Sequence, residues 1–446
     1  MPRRMLLQLL LLLLMAPALP ALEQLNLLLP NDRSLPMGEL GSVEAAAMVA
    51  RTTGASAVWY NPAGLAGQKQ NEVMGSASIY QYSSIRVDSP FGSDERRGIS
   101  VLPGAAGLSE PLPKAFGGDE GLGVGFMVAT PVFWNTSVSQ QETTPSGSGA
   151  TTIANTYDAT YEVYVPTISL GRAVENHRWG ISGSAVVHQL TVSSSRSISS
   201  LPSGEISSNS TQYHGQTVLL RIGAGWQWEQ DGWAMGATAY APGIRVWQSG
   251  DRSDNQLNSN PGTSTVTVGT GSTSHYNLDL DSPLQATIAL ARTQPEWSIE
   301  LDLTLSPGSG SRDVFPGTTV RQTQVAGGTT TYFDTAIPAL TSSRRTVLNG
   351  AFGVAHHVVD GWWAHAGMLT DHTSVRDSQL FSRVDLLTVV SGVSIQGEHS
   401  LMTAGVAGTW NTSGSSTAVD VPGNQPVESD LKIRTWRLIV GTSYRF

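Results

Sequence analysis

The sequence predicts an all-β fold: a transmembrane antiparallel β-barrel of about fourteen strands, with an N-terminal segment inside its lumen. Three observations predict it: the closing strand, the scarcity of charge, and connections that alternate between short and long. The chain ends in Trp436-Arg437-Leu438-Ile439-Val440-Gly441-Thr442-Ser443-Tyr444-Arg445-Phe446. Counting back in twos gives an apolar row of Phe446, Tyr444, Thr442, Val440, Leu438 and Trp436, with Arg445, Ser443, Gly441 and Arg437 opposite. Period-two alternation makes a strand with one apolar face, and an aromatic at each end matches the interfacial girdles of membrane strands. Charged residues are 14% of the chain, against roughly 25% in soluble domains.

Taken in order, the chain begins with basic Met1-Pro2-Arg3-Arg4, a nearly pure leucine run from Met5 to Met15, and Ala16-Pro17-Ala18, with Ala21 as a second cleavage point. Residues 1–21 read as a secretory signal peptide, too short for a lasting membrane helix. The absence of cysteine excludes a lipoprotein anchor at this site and any disulfide framework. No later stretch offers about eighteen consecutive apolar residues, so no spanning helix is expected. The formal net charge of -9, without basic runs, argues against nucleic acid.

Residues 22–71 carry no alternation and are expected to form a hatch inside the barrel of residues 72–446. Within them Ser42 to Arg51 predicts a short Ala-rich helix with an acidic start and a basic end. Period-two segments then follow at Glu72–Asp88, Gly98–Leu108, Gly121–Thr130, Thr156–Val174, Arg178–Ile198, Tyr213–Glu229 and Gly232–Arg252. The second half continues with Thr273–Arg292, Glu296–Ser306, Arg345–Val359, Gly361–Val375, Arg383–Gln396, Glu398–Thr412 and Leu431–Phe446. Trp297, Ile299, Leu301, Leu303 and Leu305 oppose Ser298, Glu300, Asp302 and Thr304, which shows the pattern at its clearest.

Short connections stand at Glu175-Asn176-His177, Gln230-Asp231, Thr293-Gln294-Pro295, Asp360 and Gly397, and long ones at 199–212, 253–272, 307–344 and 413–430. Short turns on one side and long loops on the other is the bacterial outer-membrane pattern, with the long side outside. The connection at 109–120 is longer than its periplasmic side predicts. Roughly eight strands enclose a lumen that side chains fill, while sixteen or more leave a water channel. About fourteen lies between, so a plug is expected.

The stretch Ala55-Ser56-Ala57, Trp59-Tyr60 and Asn61-Pro62-Ala63-Gly64-Leu65 stands just before the first strand. Pro62 fixes its own φ and pushes Asn61 away from helix. Gly64 then permits a conformation closed to other residues, and the Asn61 amide can bond on both sides of the bend. This stretch resembles the hatch of the FadL-type outer-membrane transporters of long-chain fatty acids and related hydrophobic compounds. The layout of signal peptide, hatch, fourteen strands and terminal Phe446 is similar throughout. One departure is Thr52-Thr53-Gly54, where the family often carries a pair of acids.

The resemblance implies hatch or gate roles for Asn61, Pro62, Ala63 and Gly64. It also implies a lateral opening for apolar cargo at the third strand, where Gly121, Gly123 and Gly125 weaken the ladder and Pro131 ends it. The apolar Leu25–Leu29 would reach into the lumen near the ligand. The expected function is passive uptake of long-chain fatty acids or other hydrophobic molecules by an outer-membrane monomer in contact with outer-membrane lipid and lipopolysaccharide. A porin-like channel for small polar solutes is the alternative.

No cofactor, metal or catalytic residue is expected. His356, His357, His365 and His372 match no standard ligand spacing. Asp371-His372-Thr373-Ser374 has the residue types of a hydrolase, but no Gly-x-Ser-x-Gly, phosphate loop or His-Glu-x-x-His occurs in the chain. Arg221, Glu229, Glu300 and Asp302 are expected to satisfy one another along the lumen wall.

Overall fold

A computed structural model of the chain describes residues 31, 36–66, 68–89, 92–112, 121–146, 149–201, 203–262, 264–274, 276–326, 328–337, 339–378, 381–420 and 426–446. The expected signal peptide and Leu25–Leu29 lie outside the described residues, as do residues 113–120 of the long periplasmic connection.

The described strands of the first half are β1 (Glu72–Ser89), β2 (Gly92–Pro111), β3 (Leu122–Ser146), β4 (Gly149–Val174), β5 (His177–Leu201), β6 (Glu205–Gln230) and β7 (Trp233–Tyr240). Next come β8 (Ile244–Asn260), β9 (Thr265–Thr273), β10 (Gln285–Thr293), β11 (Trp297–Ser306), β12 (Ser309–Phe315), β13 (Thr318–Ala326) and β14 (Thr329–Ile337). The last are β15 (Leu340–Arg344), β16 (Val347–Val359), β17 (Trp362–Asp371), β18 (Val375–Ser378), β19 (Arg383–Gln396), β20 (Ser400–Asp420) and β21 (Pro426–Arg445).

Fourteen strands close a barrel in the order β1, β2, β3, β4, β5, β6, β7, β10, β11, β16, β17, β19, β20, β21, each antiparallel to the next. Closure is made by β1 and β21, paired from Glu72↔Arg445 to Asp88↔Asp430. Alternation sets which face each residue meets. Leu301, Leu303 and Leu305 are exposed on the outer surface, while Glu300, Asp302 and Thr304 are buried toward the lumen. Ile222, Ile288, Phe352, Met402 and Leu438 continue an apolar outer belt that water would not tolerate at this extent and lipid does. The protein is an outer-membrane β-barrel.

Three expectations are corrected. The seventh and eighth predicted strands are broken. Ala241-Pro242-Gly243 separates β7 from β8, because proline has no N–H for the ladder. Tyr276–Leu284 then runs without strand structure inside β6 and β8, where Tyr276 and Leu278 are fully buried and the Leu278 carbonyl accepts from Thr217 Oγ1 at 2.5 Å. The predicted long loops at 253–272 and 307–344 are largely paired strands. β8, β9, β13 and β14 extend the wall on the extracellular side, and β12, β15 and β18 form a separate three-stranded sheet. Ser- and Thr-rich segments in water need no apolar face to pair, so periodicity does not reveal them.

The predicted helix at Ser42 to Arg51 is a run of turns. Ala45 and Ala46 have φ of 53° and 66°, which no right-handed helix allows. Wall carboxylates take the backbone N–H groups that a helix would have used, so tertiary contacts override alanine's propensity.

Candidate functional site

The hatch folds as consecutive short turns: a 3-10 turn at Gly54–Ser56, one α-helical turn at Ala57–Tyr60, and a 3-10 turn at Pro62–Leu65. Asn61 joins the last two in extended conformation, and Pro62 opens the final turn, where its missing N–H costs nothing. Asn61 is completely buried. Its Oδ1 accepts from the Ala63 N–H at 3.2 Å. Its Nδ2 donates to the Val49 carbonyl at 2.8 Å and to the Trp226 carbonyl of β6 at 3.0 Å. One side chain thus ties the bend to the hatch and to the wall. Gly64 is required for space rather than for conformation: a Cβ there would lie 2.1 Å from the Thr52 carbonyl oxygen.

The wall beneath is cut to receive this bend. Gly123 of β3 pairs with Gly171 of β4, Gly171 with Gly180 of β5, and Gly180 with Gly225 of β6, so four glycines line up across four strands. A Cβ on Gly123 would lie 2.1 Å from the Leu65 carbonyl, on Gly180 2.3 Å from the Pro62 carbonyl carbon, and on Gly225 2.0 Å from Asn61 Oδ1. The residues Asn61 to Leu65 occupy that groove.

This changes the meaning of the β3 glycines. Gly123 pairs with Pro111 and Gly171, and Gly125 with Ser109 and Ser169, so the ladder is intact on both sides. A Cβ on Gly125 would lie 2.4 Å from Val58 of the hatch. Gly121 has a φ of 112° and its carbonyl accepts from Ala173 N–H at 2.9 Å. Gly123 and Gly125 lie against the hatch, while Gly121 packs on Ala173 of the wall. The β2–β3 ladder ends further up, at Ala105↔Ala129, with Pro103 and Pro131 just beyond, while β3 stays paired with β4 to Ser146.

Opposite the groove, β11 grips the other arm of the hatch. Asp302 Oδ2 accepts from the Met48 and Val49 N–H groups at 3.1 and 3.3 Å. Glu300 accepts from Ala50 N–H at 2.6 Å and from Arg51 Nε at 2.7 Å. Arg51 also binds Glu44, whose other oxygen contacts His365 Nδ1 at 2.9 Å, and His365 Nε2 reaches Ser394 Oγ at 2.8 Å. The expectation that Arg221, Glu229, Glu300 and Asp302 satisfy one another fails for Glu300, which is taken by Ala50 and Arg51, and for Glu229. Glu229 pairs with Arg178, and Arg221 lies 4.5 Å over the Tyr240 ring.

His365 serves the hatch. His357 stands beside Trp363, and His372 Nδ1 lies 3.5 Å from Asp385. Near the hatch entrance Glu39 accepts from Ser56 Oγ at 2.7 Å. Burial, with the Glu72 carboxylate nearby, pushes the Glu39 carboxyl up to about 7. Glu72 itself accepts from Ala55 N–H and pairs with Arg445 at 2.7 Å.

A cavity of about 150 Å³ lies between the hatch and the inner wall. Met37, Val49, Trp59, Val132, Val163 and Val186 give it an apolar and aromatic part. Arg221, Arg344, His188 and Asp281 line it as well. Apart from Arg221, expected on the lumen wall, nothing in the sequence marks these residues as a lining; only the fold brings together positions from the hatch, five strands and the Tyr276–Leu284 segment.

No family model matches the chain, and no curated protein matches its sequence. Solved structures do. A FadL homologue of Pseudomonas aeruginosa aligns over 95% of this chain and 99% of its own, with a TM-score of 0.59 and 14% identity. The Pseudomonas putida toluene transporter TodX aligns over 95% and 99%, with a TM-score of 0.58 and 14% identity. The Ralstonia pickettii toluene transporter TbuX covers 93% and 99%, with a TM-score of 0.51 and 12% identity. The chain has the fold of these FadL-type proteins.

Proposed function

We propose that the protein admits compact hydrophobic molecules across the outer membrane by passive diffusion, with the hatch as its gate. The observation that carries this reading is the cavity of about 150 Å³ against the hatch, whose lining sets Met37, Trp59, Val132, Val163 and Val186 beside Arg221, His188 and Asp281. A cavity of about 150 Å³ has room for a single aromatic ring, and similarly folded proteins include toluene transporters. Burial of each CH₂ or its equivalent favours entry by about 0.8 kcal/mol. Release then depends on the hatch shifting between states.

A long-chain fatty acid is the second reading. Arg221 and Arg344 in the lining favour it, since they suit a carboxylate, but its chain must run beyond the cavity. A polar diffusion channel fits less well, because the buried hatch side chains Val43, Ala47, Ala55, Val58 and Leu65 pack against the wall. For exit, the end of the β2–β3 ladder above Ala105↔Ala129 supports a lateral route. Unpaired backbone in lipid costs several kcal/mol per group unless it lines a cavity.

Uptake of labelled toluene and labelled palmitate by cells lacking other such channels tests the reading. Val163→Trp fills the cavity from β4 and should lower toluene uptake on the order of tenfold, the barrel still migrating as folded on gels. Toluene uptake at the wild-type rate by this variant would overturn the cavity as the binding site. Transport of palmitate alone by the wild type would select the fatty-acid reading.

A further inference from the structure

The outer surface of β2, β1, β21 and β20 carries a cationic patch just above the aromatic edge of the lipid belt. Strand register fixes it. Ile99, Tyr82 and Trp436 lie side by side, by the pairs Ile99↔Tyr82 and Tyr82↔Trp436. Two residues further from the periplasm, the row is Arg97, Ser84, Arg434 and Trp410. Two residues beyond that, it is Glu95, Arg86 and Lys432. Directly paired residues share a face and steps of two keep it, so all of these point outward. Ile99 is 75% exposed and Trp436 is 59% exposed, as lipid-facing residues should be.

Both chain ends of the barrel and the short turns lie at the opposite rim, so this patch faces the outer leaflet. With strands about 4.8 Å apart and same-face residues about 7 Å apart, the patch is roughly 10 Å wide and 7 Å high.

Its charge is uneven in a useful way. The two membrane-proximal rows hold Arg97, Arg434, Arg86 and Lys432 against the single carboxylate of Glu95, which pairs with Arg97 at 3.0 Å. Asp88 and Asp430 stand in the outermost row, where Asp88 pairs with Arg86 at 2.7 Å and Lys432 at 2.8 Å. Arg434 has no carboxylate partner among the described residues. Guanidinium groups grip phosphate bidentately, and the apolar row directly below offers a surface for acyl chains.

We propose that this patch is a seat for the phosphorylated sugar headgroup of outer-leaflet lipopolysaccharide, its phosphates on the four cations and its acyl chains along Ile99, Tyr82 and Trp436. The proposal rests on the placement in the outer membrane and not on the transported compound. Toluene uptake is a separate readout, so either reading can fail alone. The site also lies on β2, whose far edge is the open part of the β2–β3 seam, so a bound lipid would steady the strand beside it.

The test is native mass spectrometry of the full chain in detergent micelles with bisphosphorylated lipid A. The wild type should retain lipid A, and lipid A stripped of its phosphates should be lost. Each cation near an anionic lipid surface is worth about fivefold in affinity. The R97Q/R434Q double variant should therefore bind on the order of 25-fold more weakly, and R86Q/R97Q/K432Q/R434Q should lose retention altogether. All four side chains are exposed, so folding should survive, as heat-resistant gel migration would verify. Equal retention by the double variant, equal binding of dephosphorylated lipid A, or displacement by an equal concentration of phosphatidylglycerol would each overturn the proposal.

Discussion

Glu39 shows how one side chain can make hatch seating depend on pH. Buried beside Glu72, its carboxyl titrates at about 7 rather than the ordinary 4.5. A folded-state pKa raised in this way adds stability that is complete below about 4.5 and is lost as pH rises through about 7. Above that, ionised Glu39 faces Glu72, with Arg445 on Glu72 and Ser56 on Glu39 as partial relief. Single-channel recordings should show more frequent opening at pH 8 than at pH 5, and Glu39→Gln should flatten that response. An unchanged pH response in the variant would remove Glu39 from the account. Legibility at this scale followed the range of the chemistry. The bend at Asn61 and Pro62 is local and could be read from the sequence. The role of Glu300 and Asp302 could not, because alternation shows that they face the lumen but not that backbone N–H groups of Met48, Val49 and Ala50 stand opposite.

Strands in the lipid belt were the most legible elements, since one face must be apolar there and the other meets the hatch and lumen. Above the membrane that constraint lapses, and the end of β8 with β9, β13 and β14 reads as loop although these segments are paired. The glycines of β3 were legible as a weakness but not as a seat, because the row Gly123, Gly171, Gly180 and Gly225 exists only once register is known. The two roles predict opposite phenotypes. Valine at Gly123 and Gly125 would put side chains into Leu65 and Val58 of the hatch. If the glycines seat the hatch, Gly123→Val with Gly125→Val should raise conductance in planar bilayers. If they act as a hinge for a lateral opening, uptake should fall with conductance unchanged, and the seating role would be wrong.

At the scale of the whole molecule, the wall and the hatch are held by separate sets of contacts. The wall closes on itself through β1 and β21, and β1 begins at Glu72, after the hatch has ended. The hatch is held on several sides, by Trp226 of β6, Glu300 and Asp302 of β11, His365 of β17 and Glu72 of β1. Each of these partners also belongs to a wall strand that is hydrogen-bonded to two neighbours without the hatch. Removing one partner of a buried ion pair is usually severe, because it strands a charge in a dry site. Removing the whole hatch is different: the lumen floods, and Glu300, Asp302 and His365 regain water as a partner. A protein lacking residues 22–71 should therefore keep its heat-resistant barrel while changing from nearly insulating to openly conducting. Roughly fourteen strands enclose a lumen between the filled and the channel-forming sizes, so the pore should be narrower than that of a porin. Planar-bilayer conductance of the two forms decides the matter. Equal conductance would mean that water already passes the hatch, and the polar-channel reading would then replace gated uptake of hydrophobic molecules.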